Sequence, residues 1–186
     1  MHAPATQHRA SARRVTTAAL LAALLAASVL ITVPIGMVPL TLQVFVVVLI
    51  ALVVPPGWAA LAVGTYLLAG AVGLPVFSGY RGGLGVLLGP TGGYLLGFLV
   101  GAVAGARVRE RLATRTAATL TADIPATLVV IAAVYALGWL QLALVTGMGV
   151  VPALLAGVVP FLVPDAIKAA VAVAAAPVVR RAAGAS

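Results

Sequence analysis

Two charged side chains lie inside one of the last apolar stretches of the chain, which reads FLVPDAIKAAVAV. Asp165 and Lys168 are three residues apart, so they share one face if this stretch is a helix. Ionisable groups at membrane depth cost about 2.5–3.5 kcal/mol each to insert, and they therefore usually face a cavity or each other. Three interpretations stay open: an internal ion pair, an anchor at a membrane surface, or half of a ligand site. Pro164 indicates a helix start just before Asp165, where an acid suits the helix dipole, and this fits the ion pair and the ligand site equally.

A second stretch that could serve a ligand is GLPVFSGYRGGLGVLLGPTGGYLLGF, at residues 73–98. Its glycines and prolines interrupt any continuous helix. Such backbone is tolerated at membrane depth only where protein buries it or a water-filled cavity lies beside it. The stretch carries Arg81, with Phe77, Tyr80 and Tyr94 as candidate aromatic walls. Its glycine spacing does not match GxGxxG, and no Lys-Ser or Lys-Thr follows, so we expect no ATPase activity in this chain.

The residue types exclude other chemistry. The chain has no cysteine, so disulfides, thiolate nucleophiles and cysteine metal sites are ruled out. It contains no HExxH or GxSxG motif, and its 3 acidic residues are too few for a two-metal site. His2 and His8 lie in the polar N-terminal tail, away from the apolar segments. We therefore predict that the protein is not an enzyme and has no catalytic residue, metal or cofactor.

The stretch TTAALLAALLAAS contains two rows of alanines at i, i+4 spacing. The rows are Ala18, Ala22 and Ala26, and Ala19, Ala23 and Ala27. Small residues at this spacing let membrane helices approach closely. The rows could pack inside the protein, or they could form a flat docking face for a different membrane protein. In the second case four leucines would face the other way, namely Leu20, Leu21, Leu24 and Leu25.

The elements that must position these residues are membrane helices. Of the 186 residues, 63% are hydrophobic and 8% are charged, and the mean hydropathy is +1.23. Soluble domains have about a quarter of their residues charged, so the solvent of this chain must be largely lipid. Although the net charge is +8, the basic residues cluster between apolar segments, which indicates membrane topology and not a nucleic-acid surface.

Six apolar segments approach the roughly 20 residues that a membrane-spanning helix needs. They are residues 16–33, 39–54, 57–74, 91–108, 124–146 and 152–179, separated by prolines, glycines or arginines. We therefore predict an all-α integral membrane bundle of six helices. It forms a single domain at residues 16–180, flanked by a basic tail at 1–15 and a short tail at 181–186. The first apolar run exceeds the usual length of a signal-peptide core, so we do not expect it to be cleaved.

The arginines predict the orientation of this bundle. Three arginines precede the first span, four lie between the fourth and fifth spans, and two follow the sixth. They are Arg9, Arg13, Arg14, Arg107, Arg109, Arg111, Arg115, Arg180 and Arg181. With six spans all three groups fall on one side, and the opposite side holds only Arg81. The positive-inside rule assigns the arginine-rich side, and with it both termini, to the cytoplasm.

Several segments together resemble the BioY biotin-transporter family. They are VPIGMVPLTLQVFVVVL, the stretch at 73–98, YALGWL and VVPFLVPDAIKAA, and the resemblance spans residues 17–175. It implies the substrate-binding component of an energy-coupling-factor (ECF) transporter, which captures biotin from outside with high affinity. It also implies partners: a transmembrane coupling protein and two cytoplasmic ATPases, which alone would use ATP. The alanine rows resemble the family's contact with the coupling protein, and the family implies a multi-pass protein of the bacterial inner membrane.

The resemblance also implies where biotin binds. A buried site must pair the two N–H groups and the carbonyl of the ureido ring as well as the carboxylate, since each unpaired group costs about 1–3 kcal/mol. Asp165 and Lys168 match positions of the family's site; we expect Asp165 to accept from a ureido N–H, and Lys168 or Arg81 to meet the carbonyl or the carboxylate. The remaining predicted site residues are Thr41, Gln43, Phe77, Gly92, Gly93, Tyr94 and Tyr135. The two tyrosines could instead be interface aromatics.

Two rival functions remain. The chain could be a related component for another vitamin, such as thiamine or riboflavin, and a competition assay separates these ligands. It could instead be a proton-coupled carrier with Asp165 as its titrating group. Such a carrier would be driven by a proton gradient without ATPase partners.

Overall fold

The structure is a computed structural model that describes residues 4–115 and 119–183, with residues 4–14 described by their backbone alone. Among these residues, eight α-helices and one two-stranded hairpin follow each other along the chain. The helices are α1 (Pro4–Ala27), α2 (Gln43–Val53), α3 (Pro56–Ala71), α4 (Leu84–Leu87), α5 (Gly92–Ala113), α6 (Thr119–Thr146), α7 (Val150–Gly157) and α8 (Leu162–Ala183). The strands β1 (Thr32–Val33) and β2 (Leu40–Thr41) pair antiparallel, and short 3-10 turns lie at Ser28–Leu30 and Val159–Phe161.

This architecture confirms the all-α class, while the first, second and sixth predicted spans differ most from the observed elements. Helix α1 begins at Pro4, so the described part of the predicted tail is helical, as its alanine content favours. The predicted span at 39–54 begins instead with β2, which turns back on β1 through Gly36 at φ 64°. The predicted span at 152–179 is divided into α7, a 3-10 turn and α8, because Pro160 cannot donate the backbone hydrogen bond that a continuous helix needs.

Two helical segments of the described chain are long and apolar enough to cross a membrane by themselves. They are Thr119–Thr146, with a mean hydropathy of 2.3, and Val150–Ala183, with a mean hydropathy of 2.0. Two shorter apolar helices, Val15–Leu30 and Gln43–Val53, accompany them. Most of α2 is buried on all sides, so it forms the centre of the bundle and not its lipid-facing wall.

Helices α5 and α6 form the most extensive pair in the fold, and glycines allow their close approach. A Cβ added at Gly97 would lie 2.7 Å from the Cα of Val134, and one added at Gly101 would lie 3.0 Å from the carbonyl oxygen of Val130. Only glycine fits at such a crossing without pushing the backbones apart. This contact fixes the position of Tyr135 on α6 relative to Tyr94 on α5.

Four helix ends meet in a buried ionic cluster. Asp123 at the beginning of α6 binds Arg109 of α5 at 2.8 Å and Arg180 of α8 at 2.9 Å. Arg180 also donates to the carbonyl oxygen of Leu52 near the end of α2, at 3.0 Å. We call this the basic end of the bundle, because the arginines near the end of α5 and near the end of α8 share it. Its location in the cytoplasm stays a prediction from the positive-inside rule.

Candidate functional site

A cavity lies at the opposite end of the bundle from the basic end. Its empty space, counted together with the open solvent at its mouth, is about 600 Å³. Six segments of the chain contribute to its wall: β2 with the beginning of α2, the turn after α3, α4, the beginning of α5, the middle of α6, and the beginning of α8 with the 3-10 turn before it. The lining residues are Val38, Pro39, Leu40, Thr41, Gln43, Val44, Ser78, Arg81, Val86, Thr91, Tyr94, Leu95, Phe98, Val134, Tyr135, Phe161, Asp165 and Lys168.

The charged centre of the cavity is an ion pair with a third partner. Lys168 Nζ lies 2.7 Å from Asp165 Oδ1, and their side chains are 12% and 5% exposed. Tyr135 donates its hydroxyl hydrogen to Asp165 Oδ2 at 2.8 Å. Asp165 lies in the first turn of α8, so the predicted helix start before it is confirmed. The pair is thus an internal salt bridge that also faces the cavity, which combines two of the interpretations left open by the sequence.

A chain of hydrogen bonds supports the wall formed by β2 and α2. Thr41 donates to Gln43 Oε1 at 3.0 Å, and Gln43 Nε2 donates to the hydroxyl of Tyr66 at 2.6 Å. Tyr66 in turn donates to the carbonyl oxygen of Val76 at 3.2 Å. This chain ties the beginning of α2 to the segment that follows α3. Because the amide of Gln43 is held on both sides, its position in the wall is defined before any ligand binds.

The turn after α3 brings Arg81 to the cavity. Phe77 and Arg81 exchange two backbone hydrogen bonds, of 2.9 and 3.2 Å, which close the turn 78–80. Gly79 and Tyr80 adopt φ values of 73° and 58°, and the tyrosine is exposed. Arg81 Nε donates to the carbonyl oxygen of Ser78 at 3.2 Å, while its guanidinium makes no ion pair with a described residue. An exposed positive charge therefore borders the cavity.

The structure brings seven of the ten predicted site residues to this one cavity. They are Thr41, Gln43, Arg81, Tyr94, Tyr135, Asp165 and Lys168. The hydroxyl of Tyr94 is already engaged, because it donates to the carbonyl oxygen of Gly157 at 2.8 Å. Tyr94 thus offers its ring to the cavity, whereas Tyr135 orients the carboxylate of Asp165.

The other three predicted site residues, Phe77, Gly92 and Gly93, are not among the lining residues of the cavity, and the structure gives each a packing role. Phe77 is fully buried and packs edge-on against Tyr66, with ring centroids 5.5 Å apart. A Cβ on Gly93 would overlap the backbone carbonyl of Leu137, and one on Gly92 would overlap that of Leu87. These glycines serve the contact of α5 with its neighbours, and their role as ligand residues stays a prediction.

The alanine rows of α1 separate into an inner and an outer row. Ala18 and Ala22 are 2% and 8% exposed and pack inside the bundle, so the prediction that they dock a partner is wrong. The row Ala19, Ala23 and Ala27 is exposed. The leucines separate in the same way, since Leu21 and Leu25 are buried with the inner row while Leu20 and Leu24 are exposed beside the outer one.

Two features of the structure were not predicted. Ser78, Thr91, Phe98 and Phe161 line the cavity without having been named as candidates. The cluster of Asp123 with Arg109 and Arg180 was also missed. It could have been found by the reasoning applied to Asp165, because an acid next to an apolar run needs a partner.

The cavity suits an amphipathic ligand with one negative charge. Asp165 and Lys168 neutralise each other, and Arg81 adds one positive charge at the border. The remaining wall is mainly apolar, with aromatic rings from Tyr94, Phe98 and others. Among the described residues, no group of three or more histidines, cysteines or acids could hold a metal ion. The arrangement can bind and orient a small molecule.

Comparisons with known proteins agree with one another. The model of the BioY family matches residues 4–185. A probable biotin transporter of Pyrococcus horikoshii is 39% identical over 162 residues, which cover 87% of this chain and 93% of that protein. A biotin transporter of Rhizobium etli is 36% identical over 73% of this chain and 74% of its own length. The solved structure of an S-component for biotin from an ECF-type ABC transporter superposes with a TM-score of 0.82 at 26% identity, and covers 92% of this chain and 90% of that one.

Proposed function

The chain belongs to the BioY family, and from that premise we propose that it is the biotin-binding membrane component of an ECF transporter. The observation that carries the proposal is the cavity that joins Asp165, Lys168 and Tyr135 with Arg81. Its polar groups match the polar groups of biotin in kind and in number of charges. Riboflavin and thiamine have no carboxylate, so their polar groups do not match those of the cavity in this way.

The ion pair is suited to the ureido ring of biotin. In this ring the carbonyl oxygen and the N–H groups are attached to the same carbon atom, so a binding site needs an acceptor and a donor side by side. Asp165 and Lys168 provide them, with Oδ1 and Nζ 2.7 Å apart. We assign the ureido N–H to Asp165 and the ureido carbonyl to Lys168. The carboxylate then remains for Arg81, whose charge is not paired within the described chain.

The apolar remainder of biotin fits the apolar part of the wall. Its thioether ring and its aliphatic tail require burial without hydrogen bonds. Leu95, Phe98 and Val134 supply such surfaces, and the ring of Tyr94 lies beside them with its hydroxyl directed to Gly157. Burial of apolar area at about 25 cal/mol per Å² adds affinity without demanding further polar partners.

We further propose that an ECF module supplies the energy for transport. A transmembrane coupling protein would dock on the exposed outer row of α1, formed by Ala19, Ala23 and Ala27. Two cytoplasmic ATPases of the module would hydrolyse ATP, since this chain carries no phosphate-binding loop. The protein itself would be a multi-pass protein of the bacterial inner membrane, with the cavity open to the outside and the basic end in the cytoplasm.

Equilibrium binding tests the function directly. The purified chain in detergent is titrated with labelled biotin, and unlabelled biotin, riboflavin and thiamine compete in parallel. We expect tight binding that only biotin displaces. If folded protein binds no biotin, or if another vitamin displaces the label equally well, the assignment of biotin is wrong.

A further inference from the structure

Ser78 has an unusual hydroxyl group. Its Oγ is buried, yet it makes no hydrogen bond to any residue that the structure describes. Other buried hydroxyls of the chain are paired: Ser28 donates to the carbonyl oxygen of Leu25 at 2.6 Å, and Thr127 donates to that of Asp123 at 2.8 Å. Ser78 alone among the buried side-chain polar atoms of the described residues has no such partner, and it lies in the wall of the cavity.

A buried hydroxyl without a partner destabilises the protein, because its hydrogen bonds to water are lost and not replaced. Each such group in a folded protein calls for an explanation, and a bound ligand is one. The serine occupies the turn that also carries Arg81, and its own carbonyl oxygen accepts the hydrogen of Arg81 Nε at 3.2 Å. One short turn therefore contributes to the wall of the same cavity both a serine with an unpaired hydroxyl and an arginine.

We propose that Ser78 binds the ligand directly, and that its hydroxyl and the guanidinium of Arg81 together hold a carboxylate. This inference rests on the proposed function, in which the ligand is biotin. A serine hydroxyl donates one hydrogen bond and a guanidinium donates up to five, so two donors from one turn can meet both oxygens of a carboxylate.

The charges of the site favour the carboxylate over the ureido ring as the partner of Ser78. Asp165 already balances Lys168, so that pair has no net charge to offer an anion. The positive charge of Arg81 is balanced by no described acid. A ligand carboxylate supplies that balance only if it lies near the turn at 77–81. The ligand is thus oriented with its ureido ring at α8 and its carboxylate at this turn.

The test compares Ser78→Ala with Ser28→Ala, which removes a paired hydroxyl outside the cavity by the same chemical change. Each variant and the wild type are titrated with biotin and with biotin methyl ester, and their thermal unfolding is followed without ligand. A hydrogen bond to a charged group is lost only for biotin. We therefore expect Ser78→Ala to raise the Kd for biotin about ten- to a hundredfold and the Kd for the ester about threefold or less.

Stability separates a ligand-binding role from a structural one. Because the Ser78 hydroxyl has no partner to lose, Ser78→Ala should leave the Tm of the ligand-free protein unchanged or raise it. Ser28→Ala should lower the Tm slightly and leave both Kd values unchanged. If Ser78→Ala keeps the wild-type Kd for biotin, or weakens acid and ester equally, the inference is wrong while biotin binding stands. If the wild type binds no biotin, both the function and the inference fail.

Discussion

Substitution of Asp165 by asparagine separates two roles proposed for the ion pair, namely stabilising the fold and binding biotin. The carboxylate holds Lys168 at 2.7 Å and Tyr135 at 2.8 Å, and the side chains of the pair are only 12% and 5% exposed. Removal of the negative charge leaves the ammonium group of Lys168 without an ionic partner, both with and without bound ligand. The free-energy cost of this unpaired charge therefore lowers the folding stability. It amounts to about 3–5 kcal/mol for a fully buried pair, and to less here because Lys168 lies in a cavity that opens to solvent.

The affinity for biotin changes for a different reason. Asparagine offers only one acceptor oxygen, so the charge-assisted bond from the ureido N–H is weakened or lost, at about 1.5–3 kcal/mol. At 1.4 kcal/mol per tenfold change, the Kd for biotin should rise about 10- to 150-fold. The change in net charge alone would lower the Kd, because a more positive cavity attracts an anionic ligand more strongly. A large loss of affinity would therefore identify the hydrogen bond as its cause.

The matched control for Asp165→Asn is Asp123→Asn at the basic end. Asp123 is fully buried and paired with two arginines, so its substitution should lower the Tm. The Kd of the folded protein for biotin should stay unchanged, because Asp123 is not part of the cavity wall. Isothermal titration calorimetry in detergent measures both Kd values, after circular dichroism has confirmed folding. A Kd within about twofold of the wild type for Asp165→Asn would refute the ligand role and leave only the structural ion pair.

Three further substitutions follow from the contacts described above. Tyr135→Phe removes one donor to Asp165 and should raise the Kd for biotin about three- to tenfold. In a double variant with Asp165→Asn, the further rise in Kd should be smaller than the rise that Tyr135→Phe causes alone. Fully additive effects on the Kd would contradict the role of Tyr135 in orienting Asp165. Gly97→Ala places a Cβ 2.7 Å from a backbone atom of α6 and should lower the Tm by several degrees. The control Gly64→Ala adds a Cβ that meets nothing within 4 Å and should leave the Tm unchanged. Equal Tm values for the two variants would contradict the close packing of α5 against α6. Ala23→Trp on the exposed row of α1 should prevent co-purification with an ECF module while the isolated variant binds biotin normally, and intact complexes would exclude this docking face.

In the sequence alone, the charged residues that line the cavity stand out because charge is rare in this chain. In a chain with 3 acidic residues and one lysine, any charged pair in an apolar stretch demands an explanation, and this led to Asp165 and Lys168. The same reasoning extends to Arg81, which stands apart from the other arginines. Residues of common type were harder to assign. Ser78 resembles any serine of a turn, and only the structure shows that its hydroxyl is buried without a partner.

Glycine and alanine were ambiguous for a physical reason. A small residue allows the close approach of a ligand, a neighbouring helix or a partner protein, and its type does not distinguish among them. Gly93 approaches α6 and Ala22 faces the interior, whereas Ala23 is exposed one position further along the same helix. The choice depends on which helices surround α1 and α5, and this is a property of the tertiary fold that a local pattern does not contain.

The two buried acids of the described chain differ in how many of their acceptor positions are occupied within the protein. A carboxylate has about four acceptor positions. Asp123 uses three of them, since Oδ1 accepts from Arg109 and Arg180 and Oδ2 accepts from Arg180, and it is not among the residues that line the cavity described above. Asp165 uses two, for Lys168 and Tyr135, and it is one of the residues that line the cavity.

This spare capacity makes Asp165 ready for a ligand N–H. The donors that Lys168 and Tyr135 provide keep the carboxylate oriented and compensated before the ligand arrives, so little reorganisation accompanies binding. At the basic end, a carboxylate that is likewise held by cationic donors has a structural role only. Asp123 is enclosed by its two arginines and takes part in a cluster that joins four helix ends. The asparagine variants at the two positions must therefore diverge, with affinity lost at one end of the bundle and stability alone at the other.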